Sequence, residues 1–433
     1  MTRAFLAALA CATLLSSPAL AQEHDHSGID HSGMDMPGMA APDSEMDMAQ
    51  PAPSGPSAGS GTSLLPANED MGGLHIPAGD WMVMAHGFVT TQYADHSGPR
   101  GDDKFYSTSM FMANGERETG WGRIQLKSMM SLEPAMDARG YPNLFATGET
   151  AGGQPLVDRQ HPHDLFMELA ARVDFNLGGS TRAFLYGGPV GEPALGPSAF
   201  MMRGSAGYNP EPPITHHWFD STHITYGVVT AGITSDLWQI EGSAFRGAEP
   251  DEHRWDIESP KLDSWSVRAT LTPSPAWAIQ ASYARIKQPE ALHPGEDERR
   301  FTASAHYADG KGLSAMLAFS NKDRVPANNM GGGSFSAWLA EANWNFDRHN
   351  TLFGRFENVA NDELFPDHAD PLHDRAFRLS KFQLGYARRI PVGPVELALG
   401  GSTSLYAKPA ALDAAYGRNP WGYTLFARIS LGS

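Results

Sequence analysis

Residues 165–177, LFMELAARVDFNL, constrain what this chain can fold into more than any other stretch. Leu165, Met167, Leu169, Ala171, Val173, Phe175 and Leu177 take alternate positions, with Glu168, Arg172, Asp174 and Asn176 between them. Period-two alternation puts the first set on one face of an extended strand and the second on the other, whereas a helix would scatter the charges around its circumference. Strands of soluble domains run about 5–6 residues, and a tilted strand crossing a bilayer needs about 9–11. This one is long enough to cross.

Similar alternation recurs from Trp81 to the end of the chain. Strands are predicted at about 82–93, 105–113, 120–132, 165–177, 181–188, 222–233, 237–247 and 263–272. A second group follows at about 277–287, 299–308, 312–321, 335–346, 351–361, 378–390, 395–407 and 421–431, about sixteen in all, the even number that single-chain barrels require. NLGGST, TSD, TPSPA, ADGKG, DRHN and PVGP read as tight turns, and the connections between them are longer. Short turns on the periplasmic side and long loops outside are the habit of outer-membrane barrels. The chain is 41% hydrophobic and has no apolar run of about 18 residues, which excludes a helical membrane protein but not a barrel whose lumen face is polar. The fold class expected is therefore all-β, a transmembrane antiparallel β-barrel preceded by a disordered N-terminal arm.

The two faces of each strand agree with that reading. Val267, Ala269 and Leu271 oppose Ser266, Arg268 and Thr270, and Phe382, Leu384 and Tyr386 alternate with Lys381, Gln383 and Gly385. Trp81, Trp238, Trp265, Trp277, Tyr307, Phe346 and Trp421 sit near strand ends, where amphipathic rings would form two interfacial girdles. Inward charges are many and mixed in sign, among them Lys127, Arg172, Glu341, Arg355 and Arg428, and are expected to form pairs that brace the wall, with tuning of selectivity as the alternative. The last strand, WGYTLFARISLGS, resembles the closing strand of bacterial outer-membrane barrels but lacks their terminal aromatic residue.

The N-terminus reads as three pieces. MTRAFLAALACATLLSSPALAQ has Arg3, an apolar core and a small-residue cleavage pattern, so 1–21 is expected to be a secretory signal peptide. Cys11 lies within it and is the only cysteine, so thiolate metal sites and disulfides are excluded from the remainder; a lipoprotein anchor at Cys11 is the rival reading. Residues 22–66 lack any strand or helix pattern and end in a Pro, Gly and Ser tract, a composition expected to form a disordered arm and linker. The barrel is then 67–433. The net charge of −17, with no Lys or Arg between Arg3 and Arg100, argues against nucleic acid and for cations.

Within the arm, His24, His26 and His31 alternate with acidic residues and are followed by Met34, Met36, Met39, Met46 and Met48. Thioethers suit Cu(I), and imidazoles suit Cu(II), zinc or nickel, so the arm is a candidate metal-capturing segment with copper ion favoured and no organic cofactor implied. The rival is an acidic tail with incidental methionines. HDHSGIDHSGMDMPGM resembles the Met- and His-rich leader of the copper-resistance outer-membrane protein B family, in which such repeats precede a barrel. The alternation of short turns and long loops puts both termini, and so the arm, on the periplasmic side of an outer membrane. The chain's expected partners are membrane lipid, metal ions and periplasmic metal-handling or efflux proteins.

A second candidate site lies in two long connections. His161 and His163 flank Pro162 just before the organising strand, and His216, His217, Asp220 and His223, with Met201 and Met202, occupy the next long loop. A His, Asp and Met site joining the two at the outer mouth is expected, against the alternative that the histidines only fix loop shape. GQPLVDRQHPHDLFMEL is also similar to outer-membrane proteins encoded beside metal-resistance systems. No HExxH motif is present, and the chain is expected not to be an enzyme. The function expected is copper binding, efflux or resistance, with a general porin-like channel as the alternative and a plugged, purely binding barrel as a further one.

Overall fold

The computed structural model describes residues 56–69, 72–327 and 332–431. Among them a closed antiparallel barrel of 16 strands is formed. In chain order these are β1 (Trp81–His96), β2 (Asp103–Thr119), β3 (Gly122–Met130), β4 (Phe166–Gly178), β5 (Thr181–Gly191), β6 (Thr225–Thr234), β7 (Trp238–Phe245) and β8 (Ser264–Ser274). The second half comprises β9 (Trp277–Ile286), β10 (Glu296–Ala308), β11 (Leu313–Pro326), β12 (Ser334–Asn345), β13 (Asn350–Asn361), β14 (Phe377–Val392), β15 (Val395–Ala407) and β16 (Trp421–Leu431). Each strand pairs with its sequence neighbour, and β16 closes on β1 from Gly422 opposite His96 to Leu431 opposite Gly87. Below that point a short strand, Leu74–Ala78, takes over the pairing with β1. No described helix is long and apolar enough to cross a membrane.

Tight turns join the ends of strands at one rim, helped at Gly179 and Gly393 by positive φ values that residues with a side chain rarely adopt. The outward side chains are apolar and exposed, including Leu126, Leu185, Ile240, Val267, Leu317, Leu384 and Ile429. In water such a belt would be untenable, and in a bilayer it is the hydrocarbon-facing surface. Aromatic pairs mark its two borders. Trp121–Phe175, Trp277–Tyr307 and Trp344–Phe346 lie at the turn rim, and Trp265–Tyr283 and Trp421–Tyr423 lie toward the opposite end.

The lumen is filled by the chain itself. The connection 192–224 descends into it: Arg203 bonds Glu341, Tyr208 bonds Glu396 near the turn rim, and Lys381 bonds Glu211. It then climbs back through the short helix His216–Phe219. Residues 56–69 enter from the turn rim. Lys127 donates to the carbonyls of Gly59 and Gly61, Thr62 bonds Glu241, and Ser60 meets Ser198 of the descending loop. Part of the Pro, Gly and Ser tract expected to be linker is therefore ordered. Its small residues fit between buried charges, and its backbone carbonyls satisfy Lys127, which composition alone does not foretell.

Inward charges pair as expected. Arg172 bonds Asp174, Arg268 bonds Glu241, and Glu341 is held between Arg203 and Arg355 at 2.8 and 2.9 Å. One residue of the organising strand departs from the expected face. Met167 was placed with the lipid-facing set, yet it is 1% exposed. A register shift between Phe166 and Glu168 in the pairing with β3 turns both Met167 and Glu168 inward, as a bulge does when it re-aims a side chain.

Leu384 on β14 and Leu262 in the connection before β8 are about equally exposed, at 56% and 55%, but face different solvents. Leu384→Arg is expected to destabilise the folded barrel by about 2–4 kcal/mol, and Leu262→Arg by no more than about 0.5 kcal/mol. Urea unfolding in lipid vesicles measures both; equal losses would contradict the lipid-facing assignment.

Candidate metal centre

The connections 131–165, 192–224 and 246–263 meet above the lumen, and their histidines meet with them. Asp158 fixes the approach of the first loop. It adopts φ of +61° and accepts hydrogen bonds from the Phe145 amide and the Tyr416 hydroxyl, with burial raising its carboxyl to about 6. Arg159 and Gln160 then pair with Tyr141 and Pro142, which delivers His161-Pro162-His163 as an extended tripeptide. From the second loop, the short helix presents His216 and His217, and the following 3-10 turn presents His223.

The four loop histidines expected to converge do so, and His223 joins them. Ring centroids are 6.0 Å apart for His161–His163, 6.3 Å for both His161–His216 and His161–His217, 5.3 Å for His216–His217, 5.0 Å for His216–His223 and 5.5 Å for His163–His223. All five are buried.

Their hydrogen bonds are patterned. Nδ1 of His161 faces the Pro162 carbonyl at 3.0 Å, Nδ1 of His163 faces Glu133 at 2.9 Å, Nδ1 of His216 faces Asp220 at 2.8 Å, and Nδ1 of His223 faces the Asp220 carbonyl at 2.6 Å. Against an oxygen acceptor Nδ1 must carry the proton, so in the neutral ring the lone pair is on Nε2. Among the described residues, Nε2 of His163 and of His223 has no hydrogen-bond partner, and Nε2 of His161 faces a Glu149 carboxylate oxygen at 3.3 Å. Imidazole with Nδ1–H tied to a carboxylate or carbonyl and Nε2 left open is the outer-shell arrangement of metal-ligating histidine.

Electrostatics keep part of the cluster neutral. Burial holds His161 and His223 well below the usual histidine range, and it lowers His216 despite the opposing Asp220 carboxylate. For His217 the burial penalty is outweighed by the Glu249 carboxylate 3.3 Å away, which lifts it to about 9; Glu133 overcomes the same penalty at His163 and raises it. Glu149, itself raised to about 7 by burial, supplies an oxygen beside His161 and His217, and the ligand atoms of these three residues lie within 4.8 Å of one another.

Glu149 and Glu249 also line a cavity of about 530 Å³ with Asp251, Glu252 and Glu290. An acidic vestibule thus lies against Glu149 and Glu249, the carboxylates that face His161 and His217. A second trio, Glu290, His293 and Glu363, sits in the loops as well, braced by Arg324 and Lys322.

His24, His26, His31, Met34, Met36, Met39, Met46 and Met48 lie outside the described residues. Sequence reasoning omitted Glu133, Glu149 and Glu249, whose contacts with the histidines span loops. It also passed over the inward methionines Met110, Met112 and Met129, whose alternation on β2 and β3 was the available signal.

No family model and no curated protein matches this chain. Among solved structures, the chain is similar to OmpF of Salmonella typhi in complex with daunomycin, with a TM-score of 0.52 at 9% identity over 83% of this chain and 100% of that one. OmpT of Vibrio cholerae, expressed in the outer membrane, matches with a TM-score of 0.50 at 10% identity over 82% of this chain and 100% of that one. An anion-selective porin from Comamonas acidovorans matches with a TM-score of 0.50 at 11% identity over 81% and 100%. The fold is that of outer-membrane barrels, and the apolar belt is the surface such a barrel turns to lipid.

The His217–Glu249 pair makes a pH test. Because His217 is raised from 6.5 to about 9, its contribution is complete below about pH 6.5 and lost as pH rises through 9. His217→Gln is expected to cost about 3 kcal/mol at pH 6 and much less at pH 10, by denaturant unfolding with chelator present. A cost that grows with pH would contradict the pairing.

Proposed function

We propose that this protein is an outer-membrane copper-binding barrel, in which the buried histidine cluster takes metal at the outer half of a self-plugged lumen. The observation that carries the reading is the set of five buried imidazoles whose neighbouring ring centroids lie 5.0–6.3 Å apart, with the Nε2 atoms of His163 and His223 lacking a hydrogen-bond partner and that of His161 facing Glu149. Burying such groups unpaired is costly, and a cation shared among them removes the cost. Imidazole and carboxylate donors fit Cu(II), zinc or nickel, and the methionines that pack below them fit Cu(I), so copper is the metal whose two oxidation states match both donor sets.

In this reading the acidic vestibule around Glu249 and Glu252 concentrates cations outside the cluster. The arm bearing His24, His26, His31 and Met34 to Met48 works from the periplasm, exchanging metal with periplasmic metal-handling or efflux proteins. Binding and handover are the activity, and no covalent bond of a substrate is made or broken.

In full-length protein carrying Leu at Met34, Met36, Met39, Met46 and Met48 and Gln at His24, His26 and His31, Cu(II) is expected to bind still. Asp220→Asn should weaken it by about 10–100-fold, since the Asp220 carboxylate orients His216. A competition titration reads the affinity. Unchanged affinity in Asp220→Asn, or no binding once the arm is substituted, would overturn the cluster as the site.

The porin fold favours a second reading, a channel for small solutes. Planar-bilayer recording separates the two. With loop 192–224 seated in the lumen, wild type is expected to conduct far less than a variant lacking 199–212. A wild type that already conducts like the deletion would support the channel instead.

A further inference from the structure

Inward positions of an outer-membrane barrel are ordinarily polar, and on most strands here they are. One patch is not. Met110, Met112, Met129, Met167 and Met202 are buried in a single cluster, with Met84 and Met201 packed against it. The cluster spans the inner faces of β1 to β4 and the turn Phe200–Met202 of the descending loop. His86, Met112 and Met129 lie directly opposite one another across three strands, a transverse row at one height. In the largest apolar cluster of the described residues, Met316 is the one buried methionine among leucines, valines and aromatic residues. Methionine is therefore not the general filler of this lumen. The register shift that turns Met167 inward interrupts the β3–β4 ladder to add another thioether to the same patch.

The patch adjoins the histidine cluster through an open space. A cavity of about 40 Å³ is lined by Met110 and Met201 on one side and by Glu133 and His163 on the other, room for one small ion or a few waters. The His163 Nε2 atom, buried and without a hydrogen-bond partner, belongs to a ring that lines this cavity. Met201 is shared with a second cavity of about 250 Å³, which also touches Met202 and His86 and reaches Leu431 at the turn rim.

We propose that these methionines form a second metal site, selective for soft monovalent ions of the Cu(I) and Ag(I) class, and that it links the histidine cluster to the periplasmic mouth. The proposal rests on the metal-binding reading of the histidines and adds the inner half of the path. Thioethers are neutral, polarisable and weakly held ligands, so they accept a soft cation without a compensating carboxylate and release it readily. Arg428, whose guanidinium lies 3.9 Å over the Phe88 ring, lines both cavities, together with Glu133 in the first and Glu396 in the second.

The test uses the full chain in detergent with the arm methionines and histidines substituted as above, loaded with Ag(I) as a redox-inert probe. X-ray absorption at the silver edge is expected to show sulfur scatterers. In the variant Met110→Leu, Met112→Leu, Met129→Leu, Met201→Leu they are expected to vanish, with Ag(I) affinity falling at least 10-fold. Cu(II) bound to the same variant should keep its imidazole nitrogen signature by electron paramagnetic resonance. Silver surrounded by nitrogen and oxygen alone, or a sulfur shell unchanged in the variant, would overturn the methionine site while leaving the histidine reading intact. Loss of the Cu(II) nitrogen signature in the unsubstituted barrel would instead count against the histidine reading. Should the variant fail to fold, selenomethionine-labelled protein with the native barrel sequence decides: silver–selenium scattering supports the site, and its absence refutes it.

Discussion

A β-sheet in hydrocarbon cannot leave an edge unpaired, because each backbone group stranded there lacks even water as a partner. The pairing of β16 with β1 is thus the contact on which the rest depends. An antiparallel sheet closes this way only with an even number of strands, and closure assigns every side chain to lipid or lumen. The apolar set of Leu384, Val267 and Ile429 goes outside, and the charged set of Lys381, Arg268 and Arg428 goes inside or toward the lumen.

Closure also creates a problem that the chain solves with its own loops. Charges such as Glu341, Lys381 and Arg268 are nearly inaccessible, and burying them alone would cost several kcal/mol each. Loop 192–224 and residues 56–69 supply Arg203, Glu211, Thr62 and backbone carbonyls as partners. The plug and the wall therefore hold each other in place. The helix that carries His216 and His217 is only four residues long and owes its position to this anchoring, with Thr215 bonded to Glu357 and Trp218 to the Phe335 carbonyl. A cluster of five buried imidazoles needs such a rigid frame, since the orientation of each ring decides which of its nitrogens meets an oxygen.

Much of this was legible from residue order, for physical reasons that also explain the gaps. Period-two alternation is strictly local, so the strands at 263–272 and 421–431 and the faces of Phe382 and Arg268 could be read directly. Met167 escaped because a bulge depends on the partner strand. The order of residues 57–65 escaped because their partners, Lys127, Ser198 and Glu241, are remote in sequence. The meeting of His161 and His163 with His216 and His217 was inferable from two His pairs in loops on one side of the barrel. Their acceptors Glu133 and Glu249, supplied by distant loop positions, carried no local pattern. The remaining arm residues, from His24 to Met48, stand as expectations from composition alone.

Crystals of the full-length protein soaked in copper and measured at the copper absorption edge would test the central claim most directly. The account requires an anomalous peak within coordination distance of Nε2 atoms from the group His161, His163, His216, His217 and His223. Peaks confined to exposed carboxylates, with that interior empty, would contradict it.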